Sequence, residues 1–421
     1  MARIYEVRDP VHNFILFRDF ERDLINSDPV QRLKHIKQLA LSYEVYPGAT
    51  HSRFEHSLGT MELATQAFDA ISLRAPAAYI KLGWTDAQRA TYRQLLRVGA
   101  LLHDIGHPPF SNAPEHLLPE GYRWHEDFTE ALIRSGYVLP LLDMGVATLN
   151  VEQVVAVALG QEKCPQDDPS IQLLQELVAG ELGVDRIDYL VRDALHTGAS
   201  AGRFDYHRLL NTLTVIEHPV TDSPVLAIEE GGLHAAEGLI LARYFMFLQV
   251  YFHDTRRIYD RHLVDFLSEA LPNGRFPADL GGYLGYTDDW VHVAIMMASR
   301  SGGRQAELAG RLLGRNHFRM VVEVSGKDKV FFTQLAQHMT DRFGDLIRTD
   351  EAEKQAQSIE PERIYVVEDN GNPHDILEVS ELILSLKPMW RARIYARADV
   401  QDEVQRACEE LAPTDSGEAH E

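Results

Sequence analysis

Apolar side chains recur at three- and four-residue spacing over residues 51–73, 86–105, 124–135, 151–159, 170–196 and 232–271, a periodicity that predicts helices with one buried face. In the last and longest, Leu233, Leu239, Ile240, Phe247, Val250 and Tyr251 are mostly helical steps apart, and Glu237, Arg243 and Asp254 mark the polar face. The period changes at Thr212–Ile216 and Val225–Ile228, two short β-prone runs around His218-Pro219-Val220-Thr221-Asp222-Ser223-Pro224, which predict a hairpin. Beyond residue 315, the β-prone runs Phe318–Val324, Arg363–Glu368 and Arg391–Arg397 alternate with helix-like stretches such as Asp328–Phe343. The pattern predicts a mainly α protein: a helical core with a small β-hairpin over 1–314, a smaller α+β unit over 315–411, and a polar, disordered tail over 412–421. No internal repeat or low-complexity block interrupts it.

Composition adds a sign to this outline. Of 421 residues, 45% are hydrophobic and 25% charged, the mix of a soluble globular protein. Lys and Arg number 41 against 63 Asp and Glu, giving a formal charge of −22. Such a field repels polyanions and argues against nucleic acid as a partner. A small phosphorylated ligand remains compatible, because a metal and a few convergent arginines invert the field locally. Two cysteines, Cys164 and Cys408, make no disulfide scaffold, which fits a reducing cytoplasm. The start, MARIYEVRDP, does not read as a leader, and no apolar run approaches the roughly 18 residues of a membrane span. The expectation is a cytoplasmic protein without a membrane segment.

Four segments concentrate chemistry. In His51-Ser52-Arg53-Phe54-Glu55-His56-Ser57-Leu58-Gly59, a helix would put Phe54, Leu58 and Met61 on the apolar stripe and Arg53, His56 and Thr60 on another face. Arg53 then offers a planar phosphate-binding fork beside an imidazole. In Val98–Phe110, an apolar run leads directly into His103-Asp104, followed by Gly106-His107-Pro108-Pro109. Burying a polar group without a partner costs roughly 2–7 kcal/mol, and a metal compensates both members of the pair at once. Gly106 suits a helix end and Pro108 stops its continuation. Trp124-His125-Glu126 is the third segment. The fourth, Gly183–Asp193, repeats Asp185, Asp188 or Tyr189, and Arg192 at helical steps. Histidine nitrogen with carboxylate oxygen suits Fe, Mn, Zn, Ni or Co better than Ca, and an open coordination position would activate water.

Elsewhere plainer readings prevail. Glu181 and Asp188 read as solvated helix charges, and His234, His253, His262 and His292 as ordinary side chains. Tyr244–Phe247 reads as core or subunit interface, and Arg256 with Arg257 as a solvated helix face or a phosphate clamp. No P-loop, HExxH, GxSxG or GxGxxG template is present.

These segments, in this order, resemble the HD-domain phosphohydrolases, specifically the deoxynucleoside triphosphate triphosphohydrolase branch. The resemblance runs from Asp9-Pro10-Val11-His12-Asn13 to about Leu267, through Gln31–Leu39, Val45–Gly59, residues 103–111 and Val184–Asp193. It implies an HD-domain helical bundle around a divalent metal ion (Mn, Fe, Mg, Co, Ni or Zn) held by His56, His103, Asp104 and Asp185. It implies cleavage at the α-phosphate of a deoxynucleoside triphosphate, with His107, His125 and Glu126 at catalytic or phosphate-side positions. Gln38, Arg53, Tyr189 and Asp193 fall at sugar- and phosphate-contacting positions, and Arg186 at that of a phosphate-contacting lysine. A homo-oligomer, and room for a nucleotide activator, follow from the same resemblance.

The chain departs from the family pattern in places. Asn112 stands where some members have a catalytic histidine, Tyr251 where a phosphate-contacting arginine is expected, and the segment Arg256–His262 around Tyr259 is only partly kept. These departures motivate two alternatives: an HD phosphohydrolase acting on a nucleoside monophosphate or diphosphate, and a nucleotide-sensing module without turnover.

Overall fold

The computed structural model describes residues 3–75, 79, 82–144, 149–221, 223–326, 328–354 and 364–411; the predicted tail over 412–421 lies outside the described residues. The chain opens with a hairpin that the periodicity did not show, β1 (Ile4–Asp9) and β2 (Asn13–Arg18), paired antiparallel across a turn at Asp9–Asn13. The longer helices then follow: α1 (Arg53–Arg74), α2 (Asp86–Leu102), α3 (His125–Ile133), α4 (Val151–Lys163), α5 (Pro169–Ala179) and α6 (Val184–Thr197). Local chemistry sets their starts. Thr85 and Gln88 form a capping box for α2, and the Asp168 carboxylate accepts from Ser170 N ahead of Pro169 in α5. Among the described residues no helix is long and apolar enough to cross a membrane.

Two predicted helices are broken. The stretch 170–196 is two helices, because the chain turns at Gly180-Glu181-Leu182-Gly183, where Gly183 N donates to Gly180 O at 2.8 Å; two glycines in four residues lower helix propensity. The stretch 232–271 divides into α7 (Leu233–Met246), a π-turn over Phe247–Tyr251, and α8 (Asp254–Ala270), whose start is capped by His253. A π-turn widens the helix locally and often accompanies a functional position. α9 (Asp288–Ala298) and α10 (Gly303–Leu312) complete the helical body.

Strands β3 (Leu213–Glu217) and β4 (Pro224–Glu229) pair antiparallel, as the hairpin pattern predicts. They belong to a four-stranded sheet, ordered β3-β4-β7-β8, in which β7 (Tyr365–Val367) runs parallel to β4 and β8 (Pro373–Asp375) closes the edge. The 315–411 segment therefore returns to the helical body midway: Ile364, Val366, Ile376 and Ile383 are buried in the same core as Met61, Leu102 and Leu190. The remainder forms a second sheet of β5 (Arg319–Ser325), β9 (Met389–Ala396) and β6 (Ile347–Lys354), ordered β5-β9-β6 and antiparallel throughout. Its core with α11 (Lys329–Phe343) and α12 (Gln401–Leu411) contains Phe332, Met339, Ile394 and Val404. The fold is mainly α with small β units.

Candidate metal centre

The buried apolar run Leu95–Leu102 drives the end of α2 into the core, so the residues that follow emerge inside the protein. His103 Nδ1 lies 2.8 Å from the carbonyl of Ala100, which places a proton there and turns Nε2 toward the cluster. Among the described residues that Nε2 is buried without a hydrogen-bond partner. Asp104 and Gly106 complete the turn, and a Cβ on Gly106 would stand 2.2 Å from His125 O and 2.3 Å from Thr129 N. Only glycine lets α3 start against this turn.

Three segments converge there. Asp185 Oδ1, on the first turn of α6, is 3.0 Å from His56 Nε2 and 3.5 Å from His103 Nε2. Asp104 Oδ2 is 3.6 Å from His56 Nε2, and its Oδ1 is 3.4 Å from His103 Nε2. His56, His103 and Asp185 each offer a ligand atom within 4.8 Å of the others. The imidazoles of His56 and His103 meet edge to face, with centres 5.1 Å apart.

Behind the imidazole of His56 lies a buried polar network. Asp188 Oδ2 accepts from His56 Nδ1 at 2.8 Å and from Arg192 Nε at 2.9 Å; its Oδ1 takes His12 Nε2 at 2.6 Å and Arg192 Nη2 at 3.0 Å. Arg192 Nη1 donates to Asp9 Oδ2 at 2.8 Å, and Asp9 Oδ1 accepts the amides of Val11 and His12. The reading of Asp188 as a solvated charge is thus overturned: it has no exposed surface and holds His56 with Nε2 facing the cluster. Glu181 is likewise buried, in the turn before α6, against Arg186 and Arg243. Gly59 permits this packing, since a Cβ there would be 2.0 Å from Asp188 Oδ1.

A divalent cation fits these residues. Two imidazoles and the Asp185 carboxylate form one donor group, Asp104 lies 3.6 and 3.4 Å from the two imidazoles, and one imidazole nitrogen is without a hydrogen-bond partner among the described residues. With imidazoles neutral, among the described residues the carboxylates of Asp9, Asp104, Asp185 and Asp188 pair with two guanidiniums, Arg53 and Arg192, which leaves two negative charges for a cation to balance. In the metal-free pocket protons take that place. Against desolvation, hydrogen bonds to Asp185 and Asp188 push His56 up to about 10, and against the same burial Asp104 and Asp185 raise His103. A metal must displace the His56 proton at neutral pH, so binding should release at least one proton. Its affinity should weaken roughly tenfold per pH unit lowered for each proton released. Calorimetry of Mn2+ binding in buffers of contrasting ionisation enthalpy reads that release; a buffer-independent enthalpy with flat affinity between pH 6 and 8 would contradict it.

The neighbouring residues form a second cluster. His107 Nε2 is 3.2 Å from Asp104 Oδ1, and the rings of His107 and His125 stack with centres 3.5 Å apart. Burial, then the charges of Arg53 and His125, hold His107 well below the usual histidine range, so it stays neutral. His125 Nδ1 is 2.6 Å from Glu115 Oε1 and 3.4 Å from Glu126 Oε2. Glu115 escaped the sequence reading, since only folding brings its loop onto the start of α3. Despite burial, its hydrogen bond from His125 holds its carboxyl below the usual range. Arg53 donates to Asp104, to Ser111 Oγ at 2.8 Å and to Asn112 Oδ1 at 3.3 Å. Phe110 and Ser111 both take left-handed φ, 58° and 60°. Asp288 holds that strained turn by accepting Phe110 N at 2.6 Å and Lys37 N at 2.8 Å.

The remaining predicted residues flank α6. Asp193 Oδ1 takes His51 Nε2 at 2.7 Å and its Oδ2 the Tyr251 hydroxyl at 2.7 Å; Tyr251 meets Tyr189 edge-on at 6.4 Å. Gln38 N donates to His51 O at 3.1 Å, and its Oε1 is buried without a partner among the described residues. Arg186 Nη1 pairs with Glu181 at 2.6 Å. Arg257 lies away from these residues, forked onto Asp350 of β6 at 2.6 and 2.8 Å.

Comparison with known proteins accords with this arrangement. Residues 53–149 match the HD domain, and residues 204–416 match the HD associated region. A crystal structure of a hypothetical protein from Aquifex aeolicus superposes with a TM-score of 0.80 at 34% identity, covering 96% of this chain and 99% of that one. The uncharacterized protein MJ1154 of Methanocaldococcus jannaschii is 30% identical over 408 residues, 93% of this chain and 78% of that protein. Deoxynucleoside triphosphate triphosphohydrolase SAMHD1 of Gallus gallus is 31% identical over 234 residues, 50% of this chain. The match spans 36% of that protein, and 55% of the uncharacterized protein YwfO of Bacillus subtilis. Since the HD match begins at Arg53 and takes in the His103-Asp104 turn, and the likeness to MJ1154 extends over nearly the whole chain, the protein belongs to the family of HD-domain proteins that carry an HD-associated region.

Proposed function

We propose that this chain is a metal-dependent phosphohydrolase that converts a deoxynucleoside triphosphate to a deoxynucleoside and inorganic triphosphate. The observation that carries the reading is the meeting of His56, His103, Asp104 and Asp185 beside the stacked His107 and His125. His56, His103, Asp104 and Asp185 would hold the ion, and a divalent cation bound there supplies Lewis acidity toward water and a phosphoryl oxygen. Arg53, fixed by Asp104, Ser111 and Asn112, keeps further N–H groups for a phosphate oxygen. His125 donates Nδ1–H to Glu115, so Nε2 is the nitrogen that exchanges a proton, and it protonates the departing 5′-oxygen. Neutral His107 keeps Asp104 oriented. Glu126 stands second to Glu115 beside His125.

On the sugar side, Gln38 Oε1 is an acceptor without a partner among the described residues, the Gln38 backbone N–H bonds His51 O, the His51 imidazole meets Asp193, and Tyr189 stands beside Tyr251. Arg186 serves the phosphate side. The name of the Gallus gallus relative supports the substrate class, and the charge of −22 favours a small substrate over a nucleic acid. A cytoplasmic homo-oligomer, open to a nucleotide activator, goes with the reading.

The test is product identification. Mn2+-loaded protein incubated with each deoxynucleoside triphosphate should yield deoxynucleoside and triphosphate on anion-exchange chromatography. Monophosphate with pyrophosphate would reject the cleavage position. Turnover of monophosphates or diphosphates alone would move the assignment to another nucleotide, and metal-dependent binding without turnover would make the chain a nucleotide sensor.

A further inference from the structure

The C-terminal sheet packs against the π-turn beside the candidate site. β6 ends at Lys354, where Ala352 and Met389 share a buried apolar cluster with Phe252, packed against Phe247 and Tyr251 of the π-turn. Lys354 Nζ lies 5.6 Å from the centre of the Phe247 ring, and Arg243 Cζ lies 6.0 Å from the same ring. Arg243 and Arg186 share one carboxylate: Glu181 Oε2 is 3.2 Å from Arg243 Nη1 and 2.6 Å from Arg186 Nη1. Arg186 directly follows Asp185.

Three cations thus gather beside a residue of the metal cluster, in a chain whose overall charge is strongly negative. Glu181 bonds two of them. Among the described residues the Lys354 ammonium has no hydrogen-bond or ion-pair partner, and Arg243 Nε is buried without one. Burial, reinforced by Arg243 and Arg186, lowers the Lys354 pKa, as expected for a cation short of counter-charge. Cations held this way are costly until an anion arrives. The ammonium itself lies over the face of Phe247, a contact that uses none of its three N–H donors.

We propose that Lys354, with Arg243 and Arg186, forms a subsite for the terminal phosphates of a polyphosphorylated nucleotide, through which the C-terminal sheet sets selectivity for phosphate-chain length. The inference rests on the phosphohydrolase reading and deepens it. A substrate with one phosphate engages only the residues around the metal. A di- or triphosphate spans to the three cations, two of them planar forks that match phosphate and one a point charge.

The experiment uses the full-length, Mn2+-loaded protein, inorganic tripolyphosphate as binding probe, and a deoxynucleoside triphosphate as substrate. Lys354→Met is expected to raise the tripolyphosphate Kd and the substrate KM by about 10-fold, the effect of losing one charge-assisted hydrogen bond. The kcat should change by less than about twofold. Lys354→Arg is expected to restore most of the affinity, which a packing role would not explain. If Lys354→Met lowers the unfolding temperature, Lys354→Gln reads the same quantities. Equal KM and equal tripolyphosphate Kd in wild type and folded variant overturn the subsite while leaving the activity standing. Wild-type protein that hydrolyses only monophosphates overturns the substrate assignment beneath it.

Discussion

His103→Ala is expected to leave a folded protein that retains no transition metal after dialysis and turns over the proposed deoxynucleoside triphosphate substrate at least about 100-fold more slowly. Changes one shell further out typically cost 10–100-fold. The imidazole is bonded at the end of α2 through Nδ1, 2.8 Å from Ala100 O, whereas its Nε2 is without a hydrogen-bond partner among the described residues. Asp185→Asn makes a companion with less packing risk, because that side chain is one-third exposed and lies 3.0 and 3.5 Å from the two imidazoles. Elemental analysis beside circular dichroism measures both. Wild-type metal content in a folded His103→Ala protein would remove the basis for the metal centre.

The second large effect is expected one layer behind. Asp188→Asn preserves volume but replaces a carboxylate that accepts from His12, His56 and twice from Arg192. An amide has one acceptor oxygen and turns an NH2 toward these donors, so Arg192 keeps only Asp9 as counter-charge. Breaking one side of a buried ion pair costs about 3–5 kcal/mol. Loosening the imidazole of His56 should weaken metal affinity by about 10–100-fold. Unfolding with and without Mn2+ and competition against a chelator separate the two effects. A stable variant that holds metal as tightly as wild type would show that this network does not orient His56. The same network ties the N-terminal hairpin to α6: Asp9 and His12, at its turn, bond Arg192 and Asp188.

Much of this was legible along the chain because it depends on local pattern. Helical period, caps and apolar runs are properties of neighbouring residues, so the helices over 51–73, 86–105, 124–135 and 151–159 and the hairpin around 218–224 appear where the spacing puts them. The adjacency of His103 and Asp104 at the end of a buried run, with Arg53 three residues before His56, already pointed to metal and phosphate chemistry. Other features depend on partners far away in sequence. Asp188 looks like any solvated helix charge until Arg192, His56 and His12, up to 176 positions distant, are packed around it. Glu115 has no local mark and becomes the partner of His125 only when the loop after Pro109 folds back. The strand Tyr365–Val367 could be recognised as β-prone, but its place beside β4 depends on a parallel pairing that local residues do not encode. Position relative to one's own neighbours is written in residue order; burial, counter-charge and pairing are set by which distant segments exclude water together, and those were decided only by the tertiary structure.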